Sequence, residues 1–291
     1  MRYPVLLVVA ALIAIPAAAF AQEEYKLQLD YKPRVGDIIE VTSQFEQTYK
    51  GAGVAVNRTV SDRANRSGTL TIRVSILEVD KKGRASRVTF KIEKYKGTGA
   101  GSAVAKFNMS KPIDVFLQEG KRWYTIPSEV KGESYMVDES WQGILELAVP
   151  LKLFNEPNYD DLFGTADAQK KGGAWKVAPE RLASFYAHYG VPKEKVKSSA
   201  VLKDVRSKKD PVLLIVEGKL EMSGLQYKLP DGFKLTDDKY ELTLSTLVPA
   251  EGGLPVEQSL RRFSSVSAAG PKGKASESTL STSKATYKLV K

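Results

Sequence analysis

The sequence predicts an α+β protein that is mainly β: a large curved antiparallel sheet, half-barrel-like, with a helical insertion packed on one face. Three observations predict it. Apolar and polar residues alternate with period two over most of the chain, short polar turns join the alternating segments, and the period becomes helical between about residues 139 and 197.

In the first half, Ile39, Val41, Phe45 and Tyr49 share one face of a strand and Glu40, Thr42, Gln44, Glu46 and Thr48 the other, so one face is buried and the other wet. Leu70, Ile72, Val74 and Ile76 repeat the pattern. Asp80-Lys81-Lys82-Gly83-Arg84 then turns the chain into Val88, Phe90 and Ile92, a hairpin. Ile113, Val115 and Leu117 lead through a polar turn into residues 122–126, a second hairpin. Residues 96–102 are too rich in glycine for a strand interior.

The middle carries two helices. Trp141, Leu145 and Ala148 share a helical stripe over 139–148, ended by Pro150, and residues 155–173 are irregular. Pro179 opens a second helix whose stripe is Leu182, Phe185, Tyr186 and Tyr189, with Gly190 closing it.

The last third returns to strands. Residues 199–205 and 211–222 form a third hairpin. Val212 to Val216, with Leu214 between, is apolar at five successive positions, which predicts a strand buried on both faces. Tyr240, Leu242 and Leu244 alternate with Glu241, Thr243 and Ser245, and residues 255–267 follow after Glu251-Gly252-Gly253. Residues 25–31 read as a strand, 270–283 as a polar connection of low complexity, and 285–290 as an edge strand. The total is roughly ten to twelve strands in a single domain over 22–291, with the helical insertion at about 139–197.

Arg2, the apolar run from Val5 to Phe20 and Ala19-Phe20-Ala21 make residues 1–21 a signal peptide cleaved after Ala21, so the protein is expected to be exported, periplasmic or secreted. The run is interrupted by Pro16 and is too short to span a bilayer, and no later segment is long and apolar enough to do so. The absence of cysteine removes thiol chemistry, disulfides and a lipid-bearing cysteine. The single histidine, His188, removes multi-histidine metal sites and leaves one place for a catalytic triad. The net charge of +10 makes anionic partners, lipid head groups or acidic envelope polymers the expected neighbours. Nucleic acid is excluded by compartment.

Short motifs carry no enzyme. Gly97, Gly99 and Gly101 are followed by Ser102 where a dinucleotide fingerprint needs Gly or Ala, and read as a hairpin loop. Ser128 with Lys131 and Ser281 with Lys284 match Ser-x-x-Lys without the partner motifs of that chemistry. Asn57, Asn65 and Asn108 head sequons expected by chance, His188 reads as a helix C-terminal cap, and Asp160-Asp161 and Asp237-Asp238 read as solvated loop acids. No catalytic residue, metal ligand or cofactor is expected.

The signal peptide, sequential strands, helical cover and the strand-turn-strand from Tyr240 to Arg262 through Gly252-Gly253-Leu254-Pro255 together resemble the periplasmic half-barrel carriers, the LolA/LolB-like group. Gly172-Gly173-Ala174-Trp175 resembles a Gly-x-x-Trp element of uncharacterised exported bacterial β-rich proteins. The resemblance implies a non-enzymatic carrier holding a lipid or amphiphile between sheet and lid. The residues expected there are Trp123, Trp141, Trp175, Leu182, Phe185, Tyr186, Tyr189, Val212, Leu214 and Val216. The alternative is an envelope module whose basic strand face, around Arg87, Lys91 and Lys94, meets an acidic polymer or a protein.

Overall fold

The period-two segments pair into one twelve-stranded antiparallel sheet that stays open. The computed structural model describes residues 23–53, 65–98, 111–119, 121–128, 133–154, 157–208, 210–227, 229, 231–271 and 273–290. The signal peptide, the loop glycines Gly99 and Gly101, Lys131, Asn57 and Asn108 lie outside them.

The first meander comprises β2 (Ile38–Gly53), β3 (Arg66–Val79), β4 (Ala85–Thr98), β5 (Ile113–Gln118), β6 (Lys121–Pro127) and β7 (Ser134–Met136). The second comprises β9 (Ala174–Lys176), β10 (Val196–Arg206), β11 (Leu213–Met222), β12 (Lys234–Pro249), β13 (Glu257–Gly270) and β14 (Gly273–Leu289). Each strand pairs with its neighbour in sequence, and β2 pairs with β14 to join the two meanders, leaving β7 and β9 as the sheet's edges. A separate ribbon pairs β1 (Glu24–Tyr25) with β8 (Gln169–Lys170).

Three helices among the described residues cover one face: α1 (Glu139–Ala148), α2 (Tyr159–Phe163) and α3 (Ala183–Tyr189). Asp138 caps α1 by accepting from the Ser140 N–H, and Asn158 and Asp161 form a capping box on α2. Gly190, with φ of 63°, ends α3 in the left-handed conformation. Helix α1 packs on β2 and β14, burying Trp141, Ile144 and Leu145 among Ile39, Val74 and Val88. Helix α2 packs on β10 and β11, where Phe163 and Tyr159 join Leu182, Phe185, Leu202, Val216 and Leu244.

The two cores are divided by a polar seam. One row of paired residues, all buried, runs Leu70, Ser43, Ala285, Gln258, Thr246, Val216, Leu202 from β3 to β10, apolar at its ends and small or polar in its middle. Buried Glu277, Thr279, Ser281 and Ser283 continue the seam on β14, and the Arg66 guanidinium donates from it to the Ser140 carbonyl of α1 at 2.9 Å.

The three hairpins lie where alternation predicts them, with Val74 opposite Phe90, Val115 opposite Tyr124 and Leu202 opposite Val216. Several expectations are corrected. Residues 270–283 and 285–290, read as a connection and an edge strand, form most of β14, which sits at the centre of the sheet. Its inward residues are small and polar because they face the seam. Residues 25–31 form a strand only at Glu24–Tyr25, and the rest is an irregular strap that buries Leu29 in the second core. Helix α2 falls within 155–173, and α3 begins at Ala183 rather than at Pro179. The pair Asp237-Asp238 lies within β12, where the Asp238 carboxylate accepts from the Gly224 and Leu225 N–H groups at 3.0 Å each. The apolar run into β11 buries Leu213, Leu214 and Val216 but leaves Val212 and Ile215 half-buried, so its second face is only partly covered.

Gly218 shows how closely α2 seats. A Cβ there would stand 2.5 Å from Cδ1 of the fully buried Phe163 ring. Replacing Gly218→Ala is expected to lower stability by about 1–3 kcal/mol through overpacking. Urea unfolding would show this as a lowered midpoint at unchanged slope.

Candidate functional site

Among the described residues the helices seat closely on the sheet. Between them lies a cavity of about 20 Å³, bordered by Tyr159, Leu162, Phe185, Tyr189, Leu260 and Arg262. That is room for about one water, against the several hundred Å³ of a small-molecule site.

The ten residues expected to line a pocket under the lid therefore separate. Trp141 is buried in the first core, 5.0 Å from the Tyr95 ring, whereas Leu182, Phe185, Tyr186, Leu214 and Val216 are buried in the second. Trp123 is 37% exposed and alternates with inward-facing Tyr124, which puts it on the opposite side of the sheet. Tyr189, 38% exposed, leans on Phe185 with ring centroids 4.6 Å apart. Trp175 is half-buried and donates from its indole to the Phe163 carbonyl at 2.9 Å, and Val212 packs partly against the second core.

Open volume lies on the face opposite the three described helices. Two adjacent rows of paired residues cross it from β3 to β9. One runs Thr69, Gln44, Lys284, Ser259, Ser245, Glu217, Val201, Ala174, and the other Ser67, Glu46, Thr282, Arg261, Thr243, Lys219, Ser199, Lys176. Short hydroxyl side chains predominate and leave a trough across the strands. Its central depression, about 580 Å³, spans β3 to β12. A second, about 590 Å³, borders it at Thr243 and reaches Trp175. Seven strand spacings make the trough roughly 30 Å long.

At the β9 end the trough turns the edge of the sheet into a crevice of about 660 Å³. There the chain leaves the ladder after β9, held by the Val177 N–H to the Ser198 carbonyl at 3.0 Å. The crevice floor is apolar, made by Val177, Pro179, Leu182, Tyr186 and Val196. Its rim carries Lys176, Lys193, Lys197 and Lys219 with Glu194 and Glu221. Lys219 pairs with Glu221 at 2.8 Å, whereas Lys176, Lys193 and Lys197 have no ion pair among the described residues. Elsewhere on this face some cations are matched, Arg73 with Glu93 at 2.9 Å, Arg87 with Asp114 at 2.7 Å and Lys284 with Glu257 at 3.1 Å, whereas Lys91 and Lys94 have no ion pair among the described residues. Thus Arg87, one member of the expected basic face, is already engaged.

Of the sequence-predicted stripe, Tyr189 is exposed, Leu182 and Tyr186 are buried but contribute to the crevice floor, and Trp175 lines the neighbouring depression. The rim lysines were visible in the sequence only as part of the net charge, because their grouping depends on how β9, β10 and β11 align.

Among the described residues no helix is long and apolar enough to cross a membrane, and no group of His, Cys, Asp or Glu could hold a metal ion.

If Phe185 is core rather than ligand wall, truncating it should be costly. Phe185→Ala is expected to lose about 3–5 kcal/mol in denaturant unfolding. A loss below about 1 kcal/mol would mean that the side chain borders solvent instead.

No protein-family model matches the chain, and no curated protein matches it. Among solved structures, one described as showing lipid–protein interactions in lipovitellin aligns over 88% of this chain at 11% identity with a TM-score of 0.38. This chain covers 25% of that lipovitellin chain, about a quarter of its length. The COG4313 outer membrane channel from Pseudomonas putida F1 aligns over 90% of this chain and 99% of its own at 11% identity, with a TM-score of 0.20. Neither likeness is close enough to carry an argument. What stands of the half-barrel resemblance is coarse: a large open antiparallel sheet with a helical cover.

Proposed function

We propose that this is an exported, non-enzymatic binding protein whose ligand is an anionic amphiphile held in the crevice at the edge of the sheet. One observation carries the reading: an apolar floor of Val177, Leu182, Tyr186 and Val196 is ringed by three lysines that have no ion pair among the described residues. Burial of an alkyl chain on that floor contributes about 25 cal/mol per Å² removed from water. The ammonium groups add a charge-assisted contact to a carboxylate, sulfate or phosphate head group. Export rests on residues 1–21, and a single domain over 22–291 is part of the same proposal.

Calorimetric titration with laurate, and with dodecanol as its uncharged analogue, tests the reading. Laurate is expected to bind saturably. A variant with Lys176, Lys193 and Lys197 each changed to Gln is expected to bind it at least about tenfold more weakly, a loss of about 1.4 kcal/mol, with dodecanol little affected. Absence of saturable laurate binding overturns the proposal, as does binding that ignores the lysine changes. Lysine-dependent binding of polyglutamate without any of laurate would transfer the site to an acidic polymer.

A further inference from the structure

The strap before β2 is tied to the lid by two carboxylates that cap each other's backbone. Asp30 accepts from the Tyr159 N–H at 3.0 Å and the Asp160 N–H at 2.9 Å, which are the first two N–H groups of α2. Asp160 accepts in return from the Leu29 N–H at 2.7 Å and the Asp30 N–H at 3.3 Å. Asp160 was expected to be a solvated loop acid; instead it closes a reciprocal clasp beside buried Leu29 and Tyr159.

The charged groups facing the clasp do not neutralise it. Asp161, the next residue of α2, adds a third carboxylate, and Arg84 approaches that one at 3.9 Å. Arg181, from the turn before α3, donates to the Asp160 main-chain carbonyl at 3.2 Å and is the cation acting on Asp160. Two acids thus share a site with more negative than positive charge, and the four N–H donors are the main compensation for their burial.

We infer that residues 25–31 form an acid-held latch: a proton bound by the buried Asp30–Asp160 pair keeps the strap on α2, and its loss at neutral to alkaline pH releases the strap while the sheet stays folded. The direction of the titration agrees. Burial, followed by the neighbouring Asp160 charge, pushes the Asp30 carboxyl up to about 7, and burial raises that of Asp160 too. A group whose folded-state pKa is raised binds protons more tightly when the clasp is closed. Closure is therefore favoured fully below the ordinary carboxylate value of about 4, and the advantage is lost as pH rises through about 7.

Amide hydrogen exchange of the full chain without ligand tests the latch independently of what the crevice binds. After correction for intrinsic rates, protection at Leu29, Asp30, Tyr159 and Asp160 is expected to fall at least about tenfold between about pH 5 and pH 8, while Val74 and Val216 in the sheet remain protected. In Asp30→Asn, which cannot ionise but keeps an acceptor for only one of the two N–H groups, protection should be lower at every pH and its pH dependence should largely disappear. Asp160→Asn should behave alike and serves if the first variant folds poorly. Protection that is independent of pH overturns the latch, as does an equal fall in the Asn variants or in Val74 and Val216.

Discussion

The pairing of β2 with β14 is the contact on which the rest of the molecule depends. Both strands are long, and they register from Ile39 opposite Leu289 to Gly53 opposite Ala275. Without it the chain would be two meanders, each with a long open edge of unpaired N–H and C=O groups. Side chains at the seam contribute little apolar burial, since Ser43, Gln47, Ser281 and Ser283 point into it. The join is carried chiefly by the main-chain ladder, each bond contributing a net stabilisation of about 1 kcal/mol, and by the apolar pair of Val41 opposite Tyr287 at its first-core end.

Around that join the two faces divide the work. On the helix side, apolar residues collect toward both flanks, and each flank takes its own cover, α1 on one and α2 with α3 on the other. The opposite face keeps matched charges and short hydroxyl residues in register across eight strands. The same alternation that buries Val216 and Leu244 turns Glu217 and Ser245 outward, so the trough is the reverse side of the core. Its crevice forms where β9 ends and the edge of β10 meets α3.

Legibility in the sequence followed chemistry. The hairpins were visible because Leu70 to Ile76 and Val88 to Ile92 alternate strongly across a polar turn, and α1 because Trp141, Leu145 and Ala148 keep helical spacing up to Pro150. Strand β14 was hidden because the residues it turns inward, Glu277, Thr279, Ser281 and Ser283, look like those it turns outward, which erases the period. For α2 the only local signal was Asn158 with Asp161 three residues on, a capping pair without an apolar stripe long enough to support it. Of the candidate site, Leu182 and Tyr186 are legible as part of a stripe, but the stripe alone does not say which members floor the crevice and which, as Tyr189, stay exposed. The trough was not legible at all, because it exists only once register brings Thr69, Ser259 and Ser245 into one line.

The central position of β14 has a consequence for how the molecule assembles. Its partner β2 lies near the opposite end of the chain, so the contact that unites the two halves spans nearly the whole sequence and carries the largest loop-closure entropy in the fold. During synthesis the first meander must wait with an unsatisfied strand until residues 273–289 arrive. The price of that delay is exposure of β2 to other chains, and Ser43 and Gln47, which interrupt the apolar inward face of Ile39, Val41 and Phe45, keep so long a vacant edge from being uniformly sticky.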